Sequence, residues 1–338
     1  MMKVINVNNT YTAPTWQKEL ANAIKNPLQL LKLLDLTPDM FPLSASARKN
    51  FPLLVPLPFI AKMKKGDIND PLLKQILPIT EEDKQVLGYS LDPLQEHDNS
   101  IQGVLHKYKS RILLVLKSGC AVNCRYCFRR HFPYNENNLN KKQFAEILLY
   151  IKAHPDVNEV ILSGGDPLMS NDDFLHYIIS ELENLKQLKR LRIHTRLPVV
   201  IPQRITDTLC KILQNTRLQV IVVLHINHPN EIDLHLKTAL KKLHKAGIQL
   251  LNQSVLLRGI NDNCATLVAL SEALFDAHVL PYYIFLLDKV QGAHHFDVSE
   301  NKAKQLILEI SGELPGYLVP RLSREIAGEK SKTLINPL

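Results

Sequence analysis

Three of the five cysteines in this 338-residue chain, Cys120, Cys124 and Cys127, fall in the order C-x3-C-x2-C, whereas Cys210 and Cys264 stand alone. Thiolates at that spacing, on a loop after an apolar strand, can hold three irons of a [4Fe-4S] cluster and leave the fourth iron without a protein ligand. An open iron is a place where chemistry can occur. A structural zinc site would want a fourth Cys or His at a similarly short spacing, and near the three cysteines there is only His131. Disulfides fit poorly, because the cysteine number is odd and no secretion signal precedes them.

The elements that must position such a loop are legible downstream of residue 110. Nearly continuous apolar runs at 111–117, 159–163, 191–195, 219–224, 248–252 and 283–287 read as strands covered on both faces, as in a parallel sheet. Helical patterns alternate with them at 141–153, 172–185, 206–214, 230–246 and 263–277, and a last helix is expected near 299–311. This alternation predicts an α/β fold, a partial (β/α)6 TIM-like barrel, with a doubly wound open sheet as the alternative. Residues 1–110 read as a proline-rich N-terminal layer of helices and loops, with one helix at Trp16–Ile24, another opened by Pro27 and a short one near Phe59–Lys64. The expected organisation is therefore 1–110, 111–312 and a C-terminal segment 313–338.

Polar residues gather where those strands end. The cysteine loop follows the first strand, and Gly164-Gly165-Asp166 follows the second. His194-Thr195-Arg196, His225, Asn252-Gln253 and Asp288 end the next four. In a βα-barrel the loops after the strands share one mouth, so this pattern predicts a single active site there. The net charge of +8 favours anionic partners, although the charges are scattered in the manner of a solvated surface. No eighteen apolar residues follow one another, and Met1–Asn9 lack a signal-like apolar run, so a cytoplasmic protein without a membrane partner is expected.

The cysteine spacing, Tyr126 before the last cysteine and the Gly-Gly-Asp segment together resemble the radical S-adenosylmethionine (SAM) enzymes. The flanks narrow this. Gly103–Tyr108 with Arg111, Cys127–Arg130, Ser163–Leu168, Arg196–Val200, Asn227–Glu231 and Asn252–Asp262 are similar, in the same order, to lysine 2,3-aminomutases. The resemblance implies a cluster on Cys120, Cys124 and Cys127, with SAM held by Gly164, Gly165, Asp166, His225 and Gln253. It also implies pyridoxal 5′-phosphate carried by Lys332 and held by Tyr108 and Arg111, with Lys330 as the rival lysine. The α-carboxylate of the substrate would be held by Arg129 and its ε-ammonium by Asp288 and Glu325. Glu325 stands where the family has aspartate. Cys264 matches a family zinc position, but no cysteine follows it, so no zinc is expected.

The Glu-Lys-Ser-Lys-Thr ending resembles the aminomutase branch that supplies β-lysine, expected as the (R) isomer, for modifying elongation factor P. That branch implies free L-lysine as substrate, a functional link to elongation factor P and its lysyl-transferring ligase, a reducing electron donor, no direct nucleic-acid contact, and a monomer or small homo-oligomer. Two readings of other classes stay open at this stage. One is a radical enzyme acting on a lysine within a protein, and the other is an iron–sulfur sensor module without turnover.

Overall fold

The computed structural model describes residues 15–96, 103–132 and 139–337, so the amino-terminal stretch Met1–Asn9 lies outside the described residues. Among the described residues, nine strands form one sheet in sequence order: β1 Val104–Tyr108, β2 Arg111–Lys117, β3 Glu159–Gly164, β4 Arg190–Thr195, β5 Gln219–Leu224, β6 Gln249–Val255, β7 Leu280–Phe285, β8 Arg321–Arg324 and β9 Thr333–Leu334. The pairs from β2 to β8 are parallel, and the two edge pairs, β1 with β2 and β8 with β9, are antiparallel.

All six expected parallel strands are present, and β8 adds a seventh. Arg321-Leu322-Ser323-Arg324 offers no apolar run, because only Leu322 faces a hydrophobic cluster, and periodicity therefore passed over it. Pairing of Tyr283 with Arg321 decides its place. The sheet also crosses both expected boundaries. β1 lies in the region read as helices and loops, and the boundary at 110 falls in the turn of the β1–β2 hairpin. The other boundary, at 312, precedes two strands of the same sheet.

The helices are α1 Trp16–Ala21, α2 Pro27–Leu33, α3 Ala45–Asn50, α4 Leu57–Ile60, α5 Pro71–Lys74, α6 Lys141–Ala153, α7 Asp172–Glu183, α8 Leu197–Val200, α9 Asp207–Gln214, α10 Leu234–Lys245, α11 Cys264–Asp276 and α12 Glu300–Glu313. The long ones begin where a side chain can cap them. Asn140, Asn171, Thr206, Asp233, Asn263 and Ser299 each accept a backbone N–H of the first turn. Asp233 also explains why α10 starts later than the expected 230: Pro229–Glu231 forms a separate 3-10 turn.

Along each strand one face packs on these helices and the other lines the curl. Ile112, Leu114, Leu116, Val160, Leu162, Leu191, Ile193, Val220, Val222 and Leu224 share one hydrophobic cluster with the inner faces of α6, α7, α9 and α10. The strand period of two then turns Arg111, Ser163, His194, His225 and Gln253 to the lumen. β1 and β9 are the two edges of the sheet, and the barrel is partial. Its ends meet through side chains, since Lys107 Nζ donates to Glu325 Oε2 and to the Ile326 carbonyl, each at 3.1 Å. Among the described residues no helix is long and apolar enough to cross a membrane.

Candidate active site

The cysteine loop leaves the C-terminal end of β2 and is fixed from two sides. From the N-terminal layer, the Leu54 carbonyl accepts Asn123 N at 3.1 Å and the Gln75 carbonyl accepts Arg125 N at 2.8 Å. Beneath it lies a buried ionic knot. Glu82 receives Arg125 Nη2 and, through Oε1 at 2.8 Å, Arg125 Nε, while Arg130 Nη2 reaches Glu82 Oε2 at 2.6 Å. Arg125 also donates to the Phe51 carbonyl and Arg130 to the Gly292 carbonyl.

From the sheet side, the loop is clasped by the Gly164-Gly165 turn. Gly165 N donates to the Lys117 carbonyl at 2.7 Å and Asp166 N to the Gly119 carbonyl at 2.9 Å. A Cβ on Gly164, whose φ is +116°, would sit 2.5 Å from the Lys117 oxygen, and one on Gly165 would sit 2.4 Å from the Gly119 oxygen. The glycines are thus demanded by contact between two stretches of backbone. Gly165→Ala is expected to push the cysteine loop away, lowering iron bound per chain and costing at least about 2 kcal/mol in urea unfolding. A variant with full iron content and unchanged midpoint would contradict this.

Asp166 is turned inward. Its carboxylate accepts Leu168 N, Thr195 Oγ1, Arg196 N and Leu197 N at 2.8–3.0 Å and is 3% exposed. Burial pushes its pKa up while these four donors oppose the shift. Its side chain therefore ties the β3 turn to the end of β4, a different task from direct ligand contact. Arg196, held there by its backbone, sends its guanidinium under the cysteines. Nη1 donates to Cys124 Sγ at 2.7 Å and to Tyr126 Oη, and Nη2 donates to Gln75 Oε1 at 2.8 Å and Glu231 Oε2 at 3.1 Å.

Cys120, Cys124 and Cys127 lie close enough on one loop to feel one another's charge. Burial and mutual repulsion raise Cys120, and burial with the neighbouring Cys124 pushes Cys127 up to about 11. Thiols that resist ionisation together need a positive centre among them, and a cluster's irons supply one. Tyr126 stacks on His225 with ring centroids 5.6 Å apart, and its hydroxyl lies 2.9 Å from His225 Nε2. Burial and the Arg196 charge push His225 down to about 3, so it is neutral at physiological pH. Gln253 is half-buried on the lumen face of β6.

Farther down the lumen the carboxylates and cations converge. Asp288 is pushed up to about 7, first by burial and then by the Glu325 charge, with Lys332 and Arg129 pulling it down. Arg129 donates to Glu96 Oε2 and Oε1 at 2.6 and 3.0 Å and lies 3.4 Å from Ser163 Oγ. The β8–β9 hairpin pairs Arg324 with Thr333, which sets Glu325 directly against Lys332. Their side chains form an ion pair, and Lys332 Nζ lies 4.8 Å from the centre of the Phe285 ring. Burial pulls Glu325 upward, but the Lys332 and Lys107 charges outweigh it and leave it below its ordinary range. Lys330, by contrast, is exposed.

Tyr108 and Arg111 flank the β1–β2 turn, with the guanidinium 3.6 Å from the centre of the tyrosine ring. The Tyr108 hydroxyl is buried and has no partner among the described residues. A buried hydroxyl without a partner and an arginine beside it can both donate to a phosphate group. The residues that sequence reasoning left without a role are Gln75, Glu82, Glu96, Arg196 and Glu231. Each has a partner remote in the chain, and although Arg196 and Glu231 fall in quoted segments, local spacing does not announce those partners.

The Radical SAM superfamily profile matches residues 114–270. The chain is 55% identical to the L-lysine 2,3-aminomutase of Haemophilus influenzae, over 94% of this chain and 95% of that protein. It is 51% identical to the L-lysine 2,3-aminomutase of Escherichia coli, over 96% of this chain and 95% of that one. Among solved structures, a radical SAM methyltransferase from Sphaerobacter thermophilus aligns at a TM-score of 0.48 and 14% identity, over 65% of this chain and 68% of that chain.

Proposed function

This chain belongs to the lysine 2,3-aminomutase family of radical SAM enzymes, and on that premise we propose that it uses pyridoxal phosphate to convert free L-lysine to β-lysine for elongation factor P. The observation that carries the proposal is the meeting of Arg129, Asp288, Glu325 and Lys332 in one lumen beneath three clustered thiols. Lysine presents a carboxylate at one end and an ammonium at the other, and the lumen offers a guanidinium and carboxylates in answer.

When bound, the cluster with SAM supplies a carbon radical that removes a hydrogen, and pyridoxal phosphate holds the amino nitrogen as it moves between neighbouring carbons. The chain binds and orients. Lys332 carries the pyridoxal phosphate, whose phosphate is held by Arg111 and the unpartnered Tyr108 hydroxyl. Gly164, Gly165, His225 and Gln253 line the SAM site, with Asp166 positioning the first two. Arg129 holds the α-carboxylate, and Asp288 holds the ε-ammonium. Glu325, shared between Lys107 and Lys332, would add a second carboxylate beside Asp288 for that ammonium. The curled sheet keeps water from the reacting carbon.

The elongation factor P link, with (R)-β-lysine passed to the lysyl-transferring ligase, is supported by likeness to that branch of the family. The decisive assay is anaerobic reconstitution with iron and sulfide, followed by lysine, SAM, pyridoxal phosphate and reductant. β-Lysine is expected. Formation of 5′-deoxyadenosine without β-lysine would refute the free-lysine reading.

Asp288 makes lysine binding pH-dependent. Its folded pKa of about 7 exceeds its unfolded value, so the folded state keeps the proton longer, and stability falls as pH rises from about 4 to 7. Binding has the opposite sense, because only the carboxylate pairs with the ammonium. Lysine affinity is expected to rise about tenfold per unit below pH 7 and to level off above it. Calorimetric titration should show this limb, and Asp288→Asn should flatten it.

A further inference from the structure

Residues 89–96, which follow the N-terminal layer, run beside the loop after β7. Tyr89 Oη donates to Asp297 Oδ2 at 2.9 Å, Ser90 N to the Lys289 carbonyl at 3.0 Å, and Gln291 N to the Ser90 carbonyl at 2.8 Å. This strap is therefore stitched to the loop that begins at Asp288. At its far end, Glu96 covers the Nε and Nη2 edge of Arg129 with both oxygens, at 2.6 and 3.0 Å. That two-point, in-plane contact is how an arginine receives a carboxylate of any origin. The pair is largely withdrawn from water, the side chains being 8% and 18% exposed. Asp92 Oδ1 accepts Glu96 N at 3.0 Å and helps fix the turn that aims it.

We propose that Glu96 is a built-in stand-in for the substrate carboxylate: it holds Arg129 and is displaced when the α-carboxylate of a free amino acid arrives. The proposal rests on the assignment of Arg129 to carboxylate binding. Its physical basis is charge balance. A second carboxylate added beside Glu96 would place two anions on one guanidinium, close to Asp288 and Glu325, where water screens little. Exchanging one carboxylate for the other leaves the charge at Arg129 unchanged. A ligand must then bring a free carboxylate to release the strap, and a lysine inside a polypeptide carries an amide at that position. A ligand without a free carboxylate leaves Glu96 on Arg129, so release of the strap marks the arrival of a free amino acid and not of a protein-bound lysine.

The test is calorimetric binding of L-lysine and of L-lysine amide to cofactor-loaded wild type and to Glu96→Gln. Wild type is expected to prefer lysine. In Glu96→Gln, which weakens the competitor's charge, the dissociation constant for lysine is expected to fall about fivefold and that for the amide to stay unchanged. If wild type shows no preference for lysine, the Arg129 assignment itself fails. If the preference is present but Glu96→Gln binds lysine equally or less well, the stand-in is refuted. Should the variant lose its cluster, hydrogen exchange on wild type decides. Amides of residues 89–96 are expected to exchange faster with lysine and not with the amide, and unchanged or slower exchange with lysine would overturn the proposal.

Discussion

Lys332→Ala is expected to reduce β-lysine formation by about a thousandfold or more and to remove the absorbance of bound pyridoxal phosphate, with the iron content unchanged. Lys332 precedes β9 and faces Glu325 across the β8–β9 hairpin, so its amine points into the lumen from a rigid corner. Its amine lies 4.8 Å from the centre of the Phe285 ring and 5.9 Å from that of Tyr283, and the two rings shield it in part from bulk water. No other lysine of the tail has that placement: Lys330, two residues earlier, is exposed, and Lys330→Ala should behave as wild type. Removing Lys332 leaves Glu325 with Lys107, so the carboxylate keeps a counter-charge and the fold should hold. Retention of the cofactor band in Lys332→Ala would end this assignment, and its loss in Lys330→Ala would transfer the role.

The second large effect is expected in the ionic knot beneath the cysteine loop. Glu82→Gln should lower stability by about 3–5 kcal/mol and sharply reduce the iron bound per chain, because it leaves two buried guanidiniums without their counter-charge. The side chains of Glu82, Arg125 and Arg130 are 1%, 0% and 3% exposed, so water cannot replace the lost carboxylate. Arg125 lies between Cys124 and Cys127, and a shift of its backbone separates two thiols that one cluster must bridge. Denaturant unfolding and iron analysis measure the two consequences. The adjacent Glu81, an exposed partner of Lys84, supplies the control, and Glu81→Gln should change neither.

The parts of this molecule that were legible from sequence are those written in short range. Strand runs such as Ile112–Leu116 and Val160–Leu162 must be covered on both faces, and helices such as 172–185 follow from apolar periodicity. Where that signal was weak the expectation failed, as at β8, whose four residues contain two arginines. The Gly164-Gly165 pair was visible as a turn, but its cause was not. A glycine demanded by a neighbouring stretch of backbone looks the same in sequence as one demanded by a ligand.

The sequence by itself determined the alternation that makes a partial barrel, the thiol spacing suited to a four-iron cluster, and the strand-end positions from which polar side chains can share one mouth. Only the tertiary structure decided which charges answer one another. Glu82 with Arg125, Glu96 with Arg129 and Glu231 with Arg196 are 43, 33 and 35 residues apart. It also decided that Lys332, and not Lys330, turns inward, since that follows from the register of a hairpin whose first strand was not evident. The reason is physical. Periodicity and capping act within a turn or a strand, whereas an ion pair in a dry interior is fixed by which surfaces the packing brings together, and its partners carry no mark of each other in the chain.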